Sequence, residues 1–329
     1  DRTEDGFLLA MSTPEGQKQV TAKRLLVATG AMERPVPVPG WTLPGVMSVG
    51  AAQIMLKQSG IVSGDGVILA GGGPLLFLLA TQYVRAGVKV AAVLETVSLR
   101  DRIYSLQYLP QALRALSYLQ KGLRLISELK RAGVPILSGV SDVRIDGRKS
   151  AESISFIHRG ARRKMIADTI ILHEGVVPNT QLPIALGCRM VWDDSQVCWR
   201  PELNRFGKTS VDGVYMAGDG CGIDGAVSAE YSGELAAIGI ARNLDRLSAG
   251  EADRRGEALE KKLEGDRRIR PFLERLYRPH LSLPKDDDAI VCRCEEITAG
   301  EIRSIAAGGC PGPNQMKSFS RAGMGPCQG

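Results

Sequence analysis

The chain has 329 residues, of which 44% are hydrophobic and 24% are charged, and its formal net charge is +6. Its length suits two or three domains, and its composition is that of a globular α/β protein. The bases are scattered among acids without interleaved aromatic residues, so we expect no nucleic-acid binding. Glycine or charge interrupts every apolar stretch before about 18 residues, so we expect no transmembrane segment.

The first 60 residues predict strands followed by a crossover. Residues 1–24 alternate between apolar and polar side chains around glycine-containing turns, which indicates a meander of strands. Residues 24–31 form a hydrophobic strand that ends in Ala-Thr-Gly, for which a core strand with a glycine turn is the plain interpretation. The proline-rich segment that follows predicts an irregular linker, and a helix is expected at residues 51–58.

Residues 67–95 predict a strand, a glycine-rich turn, a helix and a second strand that ends on Glu95. This is the order of a dinucleotide-binding βαβ unit. Gly71 permits the tight turn, and Gly73 lets the backbone approach a pyrophosphate. Glu95 follows at about the sequence separation at which a carboxylate accepts hydrogen bonds from the ribose hydroxyls.

The helix after this turn opens with Pro74 and Leu75, whose position at its N-terminus favours a bound anion. Leu76 occupies the third position of the G-x-G-x-x-G pattern, where Gly or Ala is usual. The alternative is therefore an ordinary strand-to-helix turn whose helix serves only the core. The site is predicted to hold NAD(P) or another adenine nucleotide, or to be vestigial.

Leucine periodicity predicts a long helix over residues 103–131, followed by a strand at 134–137. Alternation at 143–145, 153–157 and 164–171 predicts hairpins and then a buried strand.

A short buried strand at residues 214–217 ends on Gly218 and Asp219. A carboxylate at the carboxyl end of a strand is where an α/β sheet contacts its ligand. The alternative is that Asp219 only caps the helix predicted to run from Ala226 to residue 246. Residues 245–288 are highly charged and predict a solvated helix plus linker.

The C-terminal segment carries Cys292 and Cys294, one residue apart, and later Cys327. Such a thiolate pair can ligate one iron, and a second pair brought over by a helix–turn–helix can ligate another. Zinc uses similar ligands, and surface thiols without metal are the other alternative. A fourth ligand is expected beyond Gly329.

The seven cysteines are odd in number and cluster near the C-terminus, and no signal peptide precedes them. These features argue against a secreted disulfide framework, and the absence of C-x-x-C excludes a dithiol centre of that spacing. We therefore expect the reduced cytoplasm. Because the chain begins with Asp inside a strand pattern and ends inside a loop, we expect a fragment truncated at both ends.

Together these motifs resemble the pyridine-nucleotide-disulfide oxidoreductase superfamily, in which an NAD(P)-like domain interrupts an FAD domain. The resemblance implies that the Ala-Thr-Gly turn with Thr29 and Gly30 binds FAD. It implies the same for Gly218 and Asp219, with Asp219 on the flavin ribitol. Gly225 and Ala226 would then lie beside the flavin pyrimidine, where a helix N-terminus stabilises negative charge. The first FAD glycine motif is expected upstream of residue 1.

The tail resembles the bacterioferritin-associated-ferredoxin-like (BFD-like) module and implies a [2Fe–2S] cluster held by the three cysteines named above. The linker and the βαβ unit are most similar to the α subunits of opine oxidases, hydrogen cyanide synthases and dye-linked proline or hydroxyproline dehydrogenases. In those complexes a flavin-containing, amino-acid-oxidase-like β subunit oxidises an amino or imino acid, and the α subunit relays electrons.

The predicted fold class is α/β, a two-dinucleotide-binding-domain flavoprotein with a small helical [2Fe–2S] module. The predicted domains are a partial FAD domain (1–60), an NAD(P)-like Rossmann domain (61–174), the second FAD segment (175–245), a charged helix and linker (246–288) and the incomplete cluster domain (289–329).

The predicted function is an electron-relaying subunit of an amino-acid, opine or imino-acid dehydrogenase. No residue is assigned an acid–base role, because the cofactors carry the chemistry. Two alternatives are a self-sufficient NAD(P)H reductase that feeds a ferredoxin-like acceptor, and a non-catalytic scaffold subunit.

Overall fold

The computed structural model describes residues 2–4, 6–64, 66–279 and 283–327. The strands are β1 (Arg2–Thr3), β2 (Gly6–Thr13), β3 (Gly16–Ala22), β4 (Leu25–Val27), β5 (Ala31–Glu33), β6 (Val46–Ser48), β7 (Val67–Gly71), β8 (Val90–Glu95), β9 (Ile136–Ser138), β10 (Ser141–Asp146), β11 (Ser153–His158), β12 (Ala161–Ile166), β13 (Ile170–His173), β14 (Val176–Pro178), β15 (Met190–Asp193), β16 (Cys198–Pro201), β17 (Val214–Met216), β18 (Ile290–Cys292) and β19 (Ile297–Thr298). The α-helices are α1 (Val49–Ser59), α2 (Pro74–Arg85), α3 (Leu99–Ser105), α4 (Leu109–Ala112), α5 (Leu116–Arg131), α6 (Gln181–Ala185), α7 (Ala226–Asn243), α8 (Ala249–Arg267), α9 (Arg270–Leu276), α10 (Ala299–Ala307) and α11 (Pro313–Ser320).

The chain divides into two compact units. Unit 1 comprises Asp1–Met32, Pro110–Ala115 and Val176–Glu274, and unit 2 comprises Glu33–Leu109, Leu116–Gly175 and Arg275–Gly329. Within the ranges that the structure describes, no helix combines the length and the apolar character that crossing a membrane requires.

Unit 1 contains the antiparallel sheet β1-β2-β3 and the parallel pair β17-β4. In the parallel pair Val214 lies opposite Leu25 and Met216 lies opposite Val27. The side chains of Val27, Val214 and Met216 are buried together with Phe7 of β2. This small core fixes the carboxyl ends of β4 and β17 side by side.

Unit 2 is built on a five-stranded sheet of order β6-β13-β7-β8-β9, in which all neighbouring strands are parallel. Alternate residues of these strands enter two different cores, because successive side chains of a strand point to opposite faces. One core packs Leu69 and Val93 against α1, α2 and α5. The other packs Ile68 and Leu94 against the antiparallel sheet β10-β11-β12. The predicted hairpins and the buried strand after them are confirmed.

Helix α2 begins directly after the glycine-rich turn, with Gly73 as its N-cap residue and Pro74 as its first residue. Proline suits this position because its missing N–H has no partner within the helix there. Leu76, at the third position of the glycine pattern, is fully buried in the core beneath the helix. The Leu76 side chain therefore fills the space between helix and strand, which a Gly or Ala at this position would allow the helix to close by packing nearer to the strand.

Two predictions about helices are wrong. The long helix predicted over residues 103–131 is divided into α3, α4 and α5, separated by 3₁₀ turns. Pro110 explains a break at this point, because proline is tolerated in the first turn of a helix but not in its interior. The helix predicted as solvated, α8, has a buried face formed by Ala252, Leu259 and Leu263, and the two leucines pack with Phe206 and α7 residues.

The segment from residue 283 to 327 forms the β18-β19 hairpin and the helices α10 and α11. Thr298 begins α10 with a capping box, in which its hydroxyl accepts from the Glu301 N–H and the Glu301 carboxylate accepts from the Thr298 N–H. Thr298 is therefore the N-cap residue that fixes where α10 begins.

Leu76→Ala tests whether the unusual residue of the glycine pattern supports the core. We expect this change to lower the free energy of unfolding by about 2–5 kcal/mol, because it leaves a cavity beneath α2. Chemical denaturation followed by circular dichroism measures the change. Ile54→Ala, at a 55% exposed position of α1, is the matched control and should cost less than about 0.5 kcal/mol. Equal effects of the two changes would contradict this role of Leu76.

Candidate functional site

Two glycine turns meet at the carboxyl ends of β4 and β17 in unit 1. A β-carbon built on Gly220 would lie 3.4 Å from the carbonyl oxygen of Gly30 and 3.5 Å from the hydroxyl of Thr29. The Thr29 hydroxyl donates to the carbonyl of Asn179 at 3.3 Å, and the Asn179 N–H donates to the carbonyl of Gly30 at 2.9 Å. The turns around Thr29 and Asp219, far apart in sequence, therefore form one backbone surface.

Asp219 lies in this surface, within a 3₁₀ turn (Gly218–Cys221) that follows β17. Its Oδ1 accepts hydrogen bonds from the N–H groups of Asp224 and Gly225, at 3.0 and 2.9 Å. Among the described residues, Oδ2 of Asp219 makes no hydrogen bond. One carboxylate oxygen thus orders the loop before α7, and the other is left for a ligand.

Helix α7 begins at Ala226, with Gly225 as its N-cap residue at φ +98°. No side chain caps this end, so the first N–H groups of an 18-residue helix remain available for an acceptor. An N-terminus of this length carries a partial positive charge and favours an anionic group.

In unit 2 the glycine-rich turn lies between β7 and α2, against the end of β13. A β-carbon on Gly71 would overlap the carbonyl oxygen of His173, and one on Gly73 would lie 2.9 Å from Nε2 of the same histidine. Gly71 and Gly73 have φ values of +140° and +136°. Both contact and conformation therefore require glycine at these two positions.

His173 and Glu33 form a buried pair beside this turn, which the sequence did not predict. The His173 ring is 2% exposed, and its Nδ1 lies 2.5 Å from Oε1 of Glu33. The other oxygen of Glu33 accepts from the N–H of Gly50 at 3.0 Å. The available sequence signal was a histidine at the carboxyl end of a buried strand, the edge at which α/β sheets bind ligands.

Glu95 ends β8 as predicted, but other side chains of the protein already engage its carboxylate. Arg102 donates to Oε2 of Glu95, and the Ser138 hydroxyl donates to the same oxygen at 2.6 Å. The Glu95 side chain is 6% exposed. Its buried negative charge is thus compensated by Arg102.

Tyr277 packs on the same part of unit 2. It joins the core formed by β7, β8 and α2, and a β-carbon on Gly72 would lie 3.9 Å from Cδ1 of its ring. Burial, and secondarily the negative charge of Glu95, raises the pKa of the Tyr277 phenol to about 12. The phenol is therefore neutral at physiological pH.

The C-terminal cysteines lie near one loop. The N–H of Gly323 donates to Sγ of Cys292 at 3.4 Å, and a β-carbon on Gly325 would overlap the β-carbon of Cys294. Cys327 follows two residues later and is exposed. Within residues 2–4, 6–64, 66–279 and 283–327, no three His, Cys, Asp or Glu side chains are grouped as a metal site.

Residues 1–233 match the family described as pyridine nucleotide-disulphide oxidoreductase. The chain therefore belongs to this family of FAD-dependent oxidoreductases. The resemblance predicted from the motifs is confirmed at the level of the family.

Among curated relatives, the chain is 43% identical over 314 residues to one of the subunits of opine oxidase from Rhizobium meliloti, covering 95% of this chain and 59% of that protein. It is 34% identical over 338 residues to the HcnB subunit of hydrogen cyanide synthase from Pseudomonas aeruginosa, covering 98% and 71%. The chain thus spans between about three fifths and three quarters of the length of these relatives.

Among solved structures, L-proline dehydrogenase from P. horikoshii has a TM-score of 0.67 at 18% identity, covering 99% of this chain and 54% of that one. This likeness shows the fold alone.

The family implies FAD and NAD(P) binding, and the two glycine turns fit these cofactors unequally. The turn in unit 1 offers open backbone, the Oδ2 atom of Asp219 and the N-terminus of α7, which fit FAD. The turn in unit 2 has Glu95 engaged by Arg102 and Ser138, with Tyr277 against Gly72. The residues of the second turn do not fit NAD(P) as they stand.

Cys221 provides a chemical test of how closed the Asp219 turn is. Burial raises the pKa of its thiol to about 12, so about one molecule in ten thousand carries the reactive thiolate at pH 8. We expect Cys221 to resist iodoacetamide in the folded protein, while the exposed Cys294 reacts. Below the pKa of the Cys221 thiol, its labelling rate should rise about tenfold for each unit of pH. Peptide mass spectrometry measures both, and equal labelling of the two cysteines at pH 8 would contradict the assignment.

Proposed function

We propose that this chain is the FAD-binding, electron-relaying subunit of a heteromeric dehydrogenase that acts on an amino, opine or imino acid. The observation that carries the proposal is the joined surface of the Thr29–Gly30 and Gly218–Asp219 turns, where the described residues leave Oδ2 of Asp219 for a ligand. Similarity to oxidase and synthase subunits along 95% or more of the chain supports the same conclusion.

The residues of unit 1 have distinct roles in this proposal. Bound FAD would supply the redox chemistry. Asp219 uses Oδ1 to hold its loop, and its Oδ2 would accept a hydrogen bond from the ribityl chain. The turn with Thr29 and Gly30 would present backbone to the cofactor, and Gly225 with Ala226 would place the positive end of α7 beside the pyrimidine.

The partner proposed for this chain is a flavin-containing, amino-acid-oxidase-like β subunit. It would oxidise the substrate amine to an imine: two electrons and one hydrogen leave the α-carbon C–H bond for the partner's flavin, and the nitrogen releases a proton as the C–N bond becomes C=N. This chain would pass the two electrons to an acceptor. No acid–base residue is required here, because substrate chemistry belongs to the partner. A cytoplasmic location is part of the proposal and rests on the cysteine pattern of the sequence.

The second proposed centre is a [2Fe–2S] cluster at Cys292, Cys294 and Cys327. Two observations support it: the Gly323 N–H donates to Sγ of Cys292, and the Gly325 backbone lies against Cys294. Hydrogen bonds from backbone N–H groups to sulfur are among the features that tune such clusters. The same loop leads to Cys327.

The dehydrogenase proposal is tested with the full-length protein copurified with its partner. Reduction of an artificial dye should depend on an amino or imino acid. Asp219→Ala should lower the flavin content of the full-length chain purified without its partner, and the dye reduction of the complex, by about tenfold or more, because a hydrogen bond to a charged group is lost. Asp212→Ala is the matched control, since the exposed Asp212 carboxylate pairs with Lys208 on the protein surface. A full-length chain that carries no flavin when purified without its partner, or a complex without substrate-dependent dye reduction, would overturn the proposal. A chain without flavin in an otherwise active complex would favour a scaffold.

The cluster is tested separately by iron and acid-labile sulfide analysis of the full-length chain. Cys294→Ser should reduce both by at least about half and change the electron paramagnetic resonance signal of the reduced protein. Cys310→Ser is the control in the same segment, because the Cys310 thiol contacts the carbonyl of Gly312. Unchanged iron in Cys294→Ser, or loss of iron only in Cys310→Ser, would contradict the ligand assignment.

A further inference from the structure

The segment after α8 crosses the nucleotide-binding edge of unit 2. Arg275 and Tyr277, at and just after the end of α9, contact residues of the βαβ unit and the helix after it, which lie far earlier in the chain. Arg275 donates to Oδ1 of Asp101 at 2.9 Å, and its guanidinium lies 4.9 Å from the centre of the Tyr104 ring. These two contacts fix the main-chain position of Tyr277.

The Asp101–Arg275 ion pair is well shielded from water. The Asp101 side chain is 5% exposed and that of Arg275 is 21% exposed. Solvent screens such a pair much less than a surface pair. The cation–π contact with Tyr104 adds to the attachment. Contacts within the protein therefore hold this segment on unit 2, without a bound ligand.

The Tyr277 ring lies against the glycine-rich turn, near the end of β8: a β-carbon on Gly72 would contact both this ring and the hydroxyl of Thr96, the residue after Glu95. It packs against Gly72 on one side and lies close enough to Glu95 and Arg102 for both charges to act on its phenol. In a dinucleotide-binding βαβ unit, the adenosine ribose lies between this turn and the acid that ends the second strand. The Tyr277 ring and a bound ribose would therefore need the same volume.

Other side chains of the protein also hold the Glu95 carboxylate. Its Oε2 accepts from both Arg102 and Ser138. Both donors bond to Oε2, so the carboxylate is held in one orientation and a ribose hydroxyl would have only Oε1 to bond to. Occupied space and an engaged carboxylate therefore oppose the nucleotide at the same point.

We propose that Tyr277 excludes NAD(P)H from the glycine-rich turn by occupying the adenosine-ribose position, with Arg275 and Asp101 holding it in place. Tyr277 is thus a specificity-determining residue: because of it, a fold that usually binds NAD(P)H does not bind it, whatever the NAD(P)H concentration in the cell. This inference goes beyond the proposed function and does not depend on it, because it concerns binding to this chain alone.

The experiment measures binding of NADH to the full-length chain, without partner or substrate, by equilibrium dialysis. The wild-type protein should bind NADH only weakly. Tyr277→Ala should bind at least about tenfold more tightly, because the ring leaves the ribose position. Tyr277→Phe is the matched control and should match the wild type, since its ring fills the same space. Arg275→Ala should also tighten binding, by releasing the segment without opening a core cavity.

Each outcome decides the proposal. Micromolar binding of NADH to the wild-type chain would overturn it, as would a folded Tyr277→Ala variant whose affinity is unchanged. Weaker binding in Tyr277→Ala than in wild type would show that the ring stacks on the nucleotide, and would also overturn it. If Tyr277→Ala fails to fold, as circular dichroism would show, Arg275→Ala decides in the same way. A chain that lacks flavin, but whose variants show the expected order of NADH affinities, would contradict the proposed function and support this inference.

Discussion

The close approach of β7 and β13 at Gly71 is the constraint on which the edge of the unit 2 sheet that carries the glycine-rich turn depends. The Gly72 N–H donates to the carbonyl of His173 at 2.9 Å, and the Gly71 position has no room for a side chain. This contact sets the start of α2 and places the His173 ring against Gly73. Any other residue at Gly71 would push the two strand ends apart and remove the edge on which the site is built.

The glycine turns of unit 1 and the glycine-rich turn of unit 2 all follow the carboxyl end of a strand, but different side chains surround them. In unit 1, Asp219 uses one oxygen for its own loop and keeps the other available. In unit 2, Glu95 is compensated by Arg102 and Ser138, and Tyr277 covers the turn. One fold therefore has two surroundings: the unit 1 turns have open backbone and an available carboxylate oxygen, whereas the unit 2 turn packs against side chains of the protein itself. Membership in the family implies FAD binding in unit 1 and NAD(P) binding in unit 2. The side chains around each turn determine whether the cofactor fits there.

Features encoded locally could be predicted from the sequence. The turn at Gly71 and the acid at Glu95 lie within one βαβ unit, and their spacing alone indicates their positions. His173 pairs with Glu33, 140 residues away, and Tyr277 reaches the turn from the far side of a charged segment. Such contacts depend on tertiary packing and leave no local pattern. The leucine periodicity likewise did not reveal the helix break near Pro110, because leucines continue at helical spacing before and after this proline.

The most direct test is an anaerobic titration of the full-length protein with NADH, followed in the visible absorbance of its flavin. We predict that the flavin stays oxidised with NADH and is reduced only when the partner subunit is present together with an amino or imino acid. Rapid, stoichiometric bleaching by NADH alone would contradict this prediction, and the chain would then be an NAD(P)H-dependent reductase.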